Sequence, residues 1–394
     1  MNRRLKASQI RLISTLAAIA LALPFGWQKL TGLFTWFSPF VMLNTAFVLK
    51  SFVLLNLFGV IVLILSFFRK RWFCRYMCPT GFLCDLASKY NRKSRFSLRK
   101  VPFLGRWTAL MSLAAAVIGL PLFILLDPMA IFNGFFSLFT ENVSAVVVLS
   151  FTGLPVLIVL SWFFPGIWCV KICPLGGLQD EMADMRNRLI NLRESGESGN
   201  TVKSKGRRVF IASGAGLLLG LIVPRFLKAP SKRYFRPPSS LPKNLFNTLC
   251  IRCGSCIKAC PSNIIVHRKD PDDPASWMTP EVTFNNNGYC IEDCNLCSVV
   301  CPTGAITQFS REAKQYIFMA TAEVHLDNCL LTERIECDRC KTACSYNAIT
   351  IEFNRNNMIS YPLVDSAKCV GCGACAVICP PRTIEMIPVL SICT

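Results

Sequence analysis

Histidine is almost missing. The 394 residues hold two, His267 and His325, and none comes before them. The long apolar N-terminal part therefore has no pair of imidazoles to hold a haem iron. Acidic residues are scarce, 23 against 43 Lys and Arg, for a formal net charge of +20. That excess sits between apolar segments rather than on one stretch, which argues against a nucleic-acid surface. No Walker run and no dinucleotide fingerprint occurs, so nothing marks a nucleotide site. No nucleophile–base pair stands out. Charge of either sign is thin, 17% of residues against 52% hydrophobic. A single soluble domain rarely has that balance, and a membrane part followed by a soluble part fits it better.

Five segments have the length of a membrane span, which needs roughly 20 apolar residues for a core of about 30 Å. They lie near Leu12–Leu30, Phe52–Phe68, Phe103–Leu126, Ala145–Phe164 and Val209–Leu227. The stretch Arg69–Arg106 holds eleven Lys or Arg and Lys171–Arg208 holds eight, whereas Asp127–Ser144 holds none. The positive-inside rule then places the N-terminus and both basic stretches on the cytoplasmic side, and the C-terminal part outside. Arg207-Arg208-Val209-Phe210-Ile211 before a Gly-rich apolar helix looks like a twin-arginine export signal. Two stop-transfer arginines are the competing reading. No A-x-A cleavage site follows, so this helix is expected to stay as an anchor.

Cysteine is what the chain has in excess, 22 in all. Sixteen fall into four groups after the Pro-rich linker 229–246. They are Cys250, Cys253, Cys256, Cys260; Cys290, Cys294, Cys297, Cys301; Cys329, Cys337, Cys340, Cys344; and Cys369, Cys372, Cys375, Cys379. Groups one and four read C-x2-C-x2-C-x3-C-P, the run of bacterial ferredoxins, whose last cysteine reaches a second cluster. Sixteen thiolates suit four [4Fe–4S] clusters. Zinc cages and disulfides compete, but four-cysteine runs ending in Cys-Pro make poor tetrahedral cages. Export of a folded, loaded domain would also leave no free thiols to oxidise. Ala305-Ile306, Ala348-Ile349 and Thr383-Ile384 each follow a group closely, as short strands do in ferredoxins. The reading is an α-helical membrane domain (residues 1–190), a basic linker and anchor helix (191–228), a Pro-rich linker (229–246) and an α+β ferredoxin-like domain (247–394).

CIRCGSCIKACP after RPPSSLPKNLF resembles the NapG/MauM ferredoxin-type proteins, and the first 190 residues resemble the membrane part of NapH and NosR. The chain thus looks like a NapH-like half fused to a NapG-like half. Unlike NapH and NosR, it has no ferredoxin-type run on the cytoplasmic side. The resemblance implies oxidation of quinol, menaquinol for example, with electrons passed through clusters to a periplasmic reductase or redox partner. It also implies a bacterial cytoplasmic membrane location. It further implies that group one shares clusters with group four, and group two with group three.

The first part carries a second cysteine pattern. WFCRYMCPTGFLCD (72–85) and GIWCVKICPLGGLQD (166–180) share Cys–x3–Cys–Pro–x–Gly–x–Leu–x–Asp, 95 residues apart. Ser38-Pro39-Phe40-Val41-Met42-Leu43-Asn44 likewise matches Asp127-Pro128-Met129-Ala130-Ile131-Phe132-Asn133. Two helical hairpins are therefore repeated, and a pseudo-two-fold axis along the membrane normal would bring the signatures together. Cys74, Cys78, Cys169 and Cys173 would then supply four thiolates, the number for a fifth [4Fe–4S] cluster. Buried structural thiols, a redox disulfide or another metal are the other readings. Cys84 matches Gln179 and breaks the symmetry, so it is left outside the site, as is Cys393.

What remains is electron transfer at a membrane, and the resemblance implies that the chain serves as a subunit of a quinol dehydrogenase. A cytoplasmic donor is the first alternative, but about 30 Å of bilayer would then call for an intermediate carrier. A non-catalytic anchor or assembly factor for a reductase is the second. The repeated outer segments are apolar, as a quinone site is. Asp127 is their one acidic residue and the candidate proton acceptor, with Asn44 and Asn133 as candidate partners of the ring oxygens.

Overall fold

The computed structural model describes residues 2–23, 26, 28–52, 54–90, 101–140, 152–194, 199–226, 234–270, 273–284, 288–355 and 357–389. Cys393, the linker residues 229–233, the start of the fourth apolar run (145–151) and the side chains of Arg207 and Arg208 lie outside that description. The chain forms two compact units. The first is Met1–Ala229 with Asn247–Ser255 and Pro302–Gly304, and the second is Pro230–Phe246, Cys256–Cys301 and Ala305–Thr394.

The first unit is helical. The expected spans appear as shorter apolar helices, Ala7–Ala22, Leu54–Phe68, Leu104–Val117, Gly153–Phe163 and Val209–Val223. Among the described residues, no single helix is long and apolar enough to cross a membrane. Proline is one local reason. Pro121 follows the helix that ends at Val117, and Pro39 starts a new helix after Trp36, since proline fits the first turn but not the interior. The pair Gln28–Trp36 and Pro39–Leu49 meets the length and composition test together, bent by 93°. Apolar side chains on these helices point outward, among them Ile13, Ile61, Phe68, Val159, Phe163, Phe210 and Leu218, each about half exposed or more.

The repeat is preserved in backbone detail. Arg71 (φ 55°) and Gly166 (φ 77°) both adopt the left-handed conformation just before the cysteine turns, 95 residues apart. Glycine takes that conformation freely, whereas arginine is strained there. Arg71 is held by a bidentate pair to Asp180, at 2.8 and 2.6 Å, the strong geometry for guanidinium and carboxylate.

The second unit is α+β and small. Three antiparallel pairs are formed among the described residues. Ile265–His267 pairs with Pro280–Val282, Ala320–Val324 with Ile384–Pro388, and Ile349–Asn354 with Ile359–Val364. Ile349 and Ile384 open strands, and Ile306 makes an isolated bridge to Ser240. The core of this unit is built largely on the cysteines. Cys340, Cys369 and Cys375 pack with Ala320, Ala348, Ile349 and Met386.

Candidate metal centres

Cys74 lies on the short helix Trp72–Tyr76 and Cys169 on the turn Ile167–Ile172. Cys78 and Cys173 precede the helices Pro79–Tyr90 and Pro174–Glu194. Proline suits each first helical position, and the first-turn amides that follow have no intrahelical acceptor and so turn back on the sulfur. Gly81 N donates to Cys78 Sγ at 3.3 Å and Gly176 N to Cys173 Sγ at 3.4 Å. A side chain at Gly176 would press on the Cys169 carbonyl oxygen, 3.0 Å from its Cβ. All four sulfur-bearing residues line one cavity of about 510 Å³. Arg11, Lys70, Arg71, Arg75 and Asp85 lie at its edge, and Pro128 forms part of its wall.

The residues behind the sulfurs repeat as well. Gln179 Nε2 donates to Cys74 Sγ at 3.4 Å, and Ser66 Oγ donates to Gln179 Oε1 at 3.3 Å. In the other half Cys84 lies beside Cys169 and Ser161, and its thiol donates to the Leu157 carbonyl at 3.9 Å. Position 84 and its mate 179 thus lie alike, each beside the other half's first cysteine, though only Gln179 donates to it. Sequence reasoning set Cys84 aside because its residue type differs, while the 95-residue offset itself pointed to the shared position.

Does an iron–sulfur group fit this site? Among the described residues, no three His, Cys, Asp or Glu side chains converge on a single ion. Four thiols surround a cavity instead, as a polynuclear group requires. Backbone amides and a glutamine aim at the sulfurs, the kind of hydrogen bond that tunes such centres. The donor set fits a [4Fe–4S] cluster.

In the second unit, Cys260 lines one small pocket with Cys290, Cys294 and Cys297. Cys344 sits with Cys369, Cys372 and Cys375. The expected pairing of group one with four, and two with three, is therefore corrected. The last cysteine of group one joins group two, and that of group three joins group four. The physical reason is chain proximity, because Pro261 and the strand Ile265–His267 return the chain beside Cys290. Cys329, Cys337 and Cys340 form a further set. Burial pushes the Cys297 thiol well above its ordinary value, and Cys290, Cys294 and Cys260 push it the same way. Cys375 is pushed up to about 12 by burial, then by Cys372, Cys369 and Cys344. Such thiols ionise together only against a cationic metal core. Cys290 N donates to the Cys372 carbonyl at 2.9 Å, so two sets touch through one backbone hydrogen bond.

The three residues assigned to quinol are committed to structure. Asp127 is fully buried and caps the helix Pro128–Phe135. One oxygen accepts from Ser38 Oγ at 2.6 Å, the other from Met129 N and Ala130 N at 3.0 and 3.1 Å. Asn44 donates to the Phe40 carbonyl and accepts from Ser112 Oγ, both at 2.8 Å. Asn133 donates to the Cys253 carbonyl at 3.0 Å and to Ser255 Oγ at 2.8 Å. The structure does not bring the three together as one polar site.

Comparison with known proteins agrees with the cysteine geometry. A family model described as a 4Fe-4S binding domain matches residues 51–97, 146–193 and 297–315, so two of its matches fall on the repeated Cys–x3–Cys–Pro segments. A 4Fe-4S dicluster domain matches 249–305 and 333–383. The methylamine utilization ferredoxin-type protein MauM of Methylophilus methylotrophus is 31% identical over 191 residues, 46% of this chain and 84% of that protein. The ferredoxin-type protein NapF of Escherichia coli K12 is 32% identical over 165 residues, 42% of this chain and 90% of that protein. NapG of the same organism is 30% identical over 151 residues, 36% of this chain and 65% of that protein. No solved structure matches the chain.

Proposed function

The chain belongs to the ferredoxin-type [4Fe–4S] electron-transfer proteins that include MauM and NapF, and on that premise we propose that it is a membrane-bound relay carrying electrons from the quinol pool to a periplasmic redox partner. The observation that carries this reading is the meeting of Cys74, Cys78, Cys169 and Cys173 around one cavity in the helical unit. A cluster site embedded among helices whose outward side chains are apolar belongs to a protein that works at a membrane.

In this reading the helical unit is a NapH-like membrane domain fused to a NapG-like one. The five apolar helices, helped by the bent segment Gln28–Leu49, lie in the bilayer. The helix carrying Arg207 and Arg208 is an export signal retained as an anchor, and the second unit lies in the periplasm. Four [4Fe–4S] clusters are held by the sixteen outer cysteines and a fifth by the inner four. Bound there, the clusters supply one-electron storage at potentials set by their surroundings. The protein's share is to bury the thiolates, space them and exclude water. With Asp127, Asn44 and Asn133 engaged in the fold, the quinol is placed beside the inner cysteines, where the cavity and its basic edge lie. The partner is a periplasmic reductase subunit or soluble redox protein.

The test is anaerobic purification followed by iron, sulfide and EPR analysis. The proposal expects five clusters, about twenty iron atoms per chain if each is a [4Fe–4S] cubane, and outer clusters reduced by a menaquinol analogue. Clusters that stay oxidised with every quinol tried would leave an anchor or assembly role as the better reading.

A further inference from the structure

We infer that the first turns of the helices Pro39–Leu49 and Pro128–Phe135 join the inner cysteine centre directly to Cys253, making a one-electron path through the first unit that needs no mobile carrier. The inference rests on the reading that both cysteine sets hold clusters.

The packing of neighbouring residues carries it. Phe40 and Met129 are repeat mates, and both pack in the core that contains Phe73, Cys78, Trp168 and Cys173. Val41 and Ala130 are the next residues along, also repeat mates. They pack instead with Ile124, Ile251 and Cys253. Successive helical residues point about 100° apart, at 3.6 residues per turn. One turn of each helix therefore separates the inner sulfurs from an outer one. With side chains, an α-helix is about 10–12 Å across, so the gap is on the order of a third of a hydrocarbon core of about 30 Å. The carrier that a full bilayer would demand is not needed.

Hydrogen bonds fasten both ends of this bridge. Thr80 Oγ1, two residues beyond Cys78, donates to the Pro128 carbonyl at 2.8 Å. At the other end Asn133 holds the Cys253 carbonyl and Ser255 Oγ. Ser38 and Asp127 tie the two helix starts to each other. Val41, Ala130 and Cys253 are 1%, 2% and 8% exposed, so the gap is filled with protein and dry. Electronic coupling falls steeply with distance and faster through voids than through packed atoms. A short, filled gap is the arrangement that favours transfer.

The step moves one electron. The inner centre is oxidised, the centre holding Cys253 is reduced, and no proton moves or bond breaks. A quinol oxidised beside the inner cavity would feed this path one electron at a time, releasing its two protons upstream of it.

The experiment uses the full chain in inside-out membrane vesicles stripped of quinone. Dithionite, a membrane-impermeant one-electron reductant, is presented at the cytoplasmic face. Wild-type outer clusters should become reduced, read by their EPR signals inside sealed vesicles. Cys74→Ser, which removes an inner ligand, should lose that reduction while its outer clusters remain reducible after detergent opens the vesicles. A second readout is magnetic: the inner and first outer centres, both reduced, should split or broaden each other's signals, and Cys74→Ser should remove that interaction. Wild-type outer clusters that stay oxidised in sealed vesicles overturn the path, and so does reduction of Cys74→Ser at the wild-type rate. If Cys74→Ser carries as much iron as wild type, the inner-cluster reading itself has failed, and the path fails with it.

Discussion

Gln179 Nε2 donates to Cys74 Sγ at 3.4 Å, reaching from one repeat to the first cysteine of the other. A donor to a ligating sulfur stabilises the more negative, reduced cluster, so it raises the reduction potential. The Gln179→Leu variant should keep its iron content and titrate lower. At about 1 kcal/mol for one hydrogen bond and about 59 mV per tenfold for a one-electron couple, the expected drop is about 40 mV. An EPR-monitored redox titration of the inner signal measures it, and an unchanged potential would show that the bond is not made to a ligating sulfur.

The placement of Cys260 with Cys290, Cys294 and Cys297 predicts which substitutions act alike. Cys260→Ser and Cys290→Ser should weaken one and the same EPR signal, each with a loss of up to about four iron atoms, one cubane. The signal lost in Cys369→Ser should differ. If Cys260→Ser and Cys369→Ser were to remove a common signal, group one would share with group four after all.

The two cysteine patterns were legible in the sequence because metal ligation demands fixed residue types at fixed spacings. So was the repeat, since Cys74, Cys78 and Gly81 have mates at a constant offset of 95. Cluster partners were less legible. Which run supplies the distant cysteine depends on how Pro261 and the strand Ile265–His267 return the chain, and spacing within a run says nothing about that. The depth of Pro39 and Pro128 was not legible either. Both segments read as outer loops by composition, yet Pro128 lines the inner cavity. Their second role, as neighbours of Cys253, is a tertiary fact that no local pattern announces.

Asn133 holds the backbone of Cys253, and its repeat mate Asn44 does not. Asn133→Ala should leave the Cys253 carbonyl without this buried donor, a cost of about 1–3 kcal/mol. The expected outcome is an altered or lost signal from the cluster of group one with the inner signal intact. Asn44→Ala should destabilise the helical unit without that selective loss. Comparing the two EPR spectra and their thermal unfolding midpoints checks both halves of the statement.

Replacing Arg207 and Arg208 by Lys should leave the N-terminal helices inserted and retain the second unit in the cytoplasm, if these arginines form an export signal. Protease added to spheroplasts should then fail to reach the region beyond residue 230. Normal export of the double variant, or of the wild type in cells lacking the twin-arginine translocase, would reduce the pair to ordinary positive charges at a helix end.

Ser38 and Asp127 give the last test, because the two possible roles of the carboxylate predict different phenotypes. As a fastener, Asp127 accepts three hydrogen bonds and joins the two repeated helix starts. Asparagine is as good an N-cap as aspartate, whereas alanine costs about 1 kcal/mol at such a position, and here it also strips Ser38 of its buried partner. Asp127→Asn should therefore keep its clusters, its stability and the wild-type rate of reduction by a menaquinol analogue. Asp127→Ala and Ser38→Ala should both lower the unfolding temperature, with Asp127→Ala the larger effect. As a proton acceptor, Asp127 would show the reverse ranking, since an amide cannot take the proton and Asp127→Asn would lose quinol-driven reduction with every cluster in place. The buried, fully bonded carboxylate favours the fastener, and the rate measured in Asp127→Asn decides the matter.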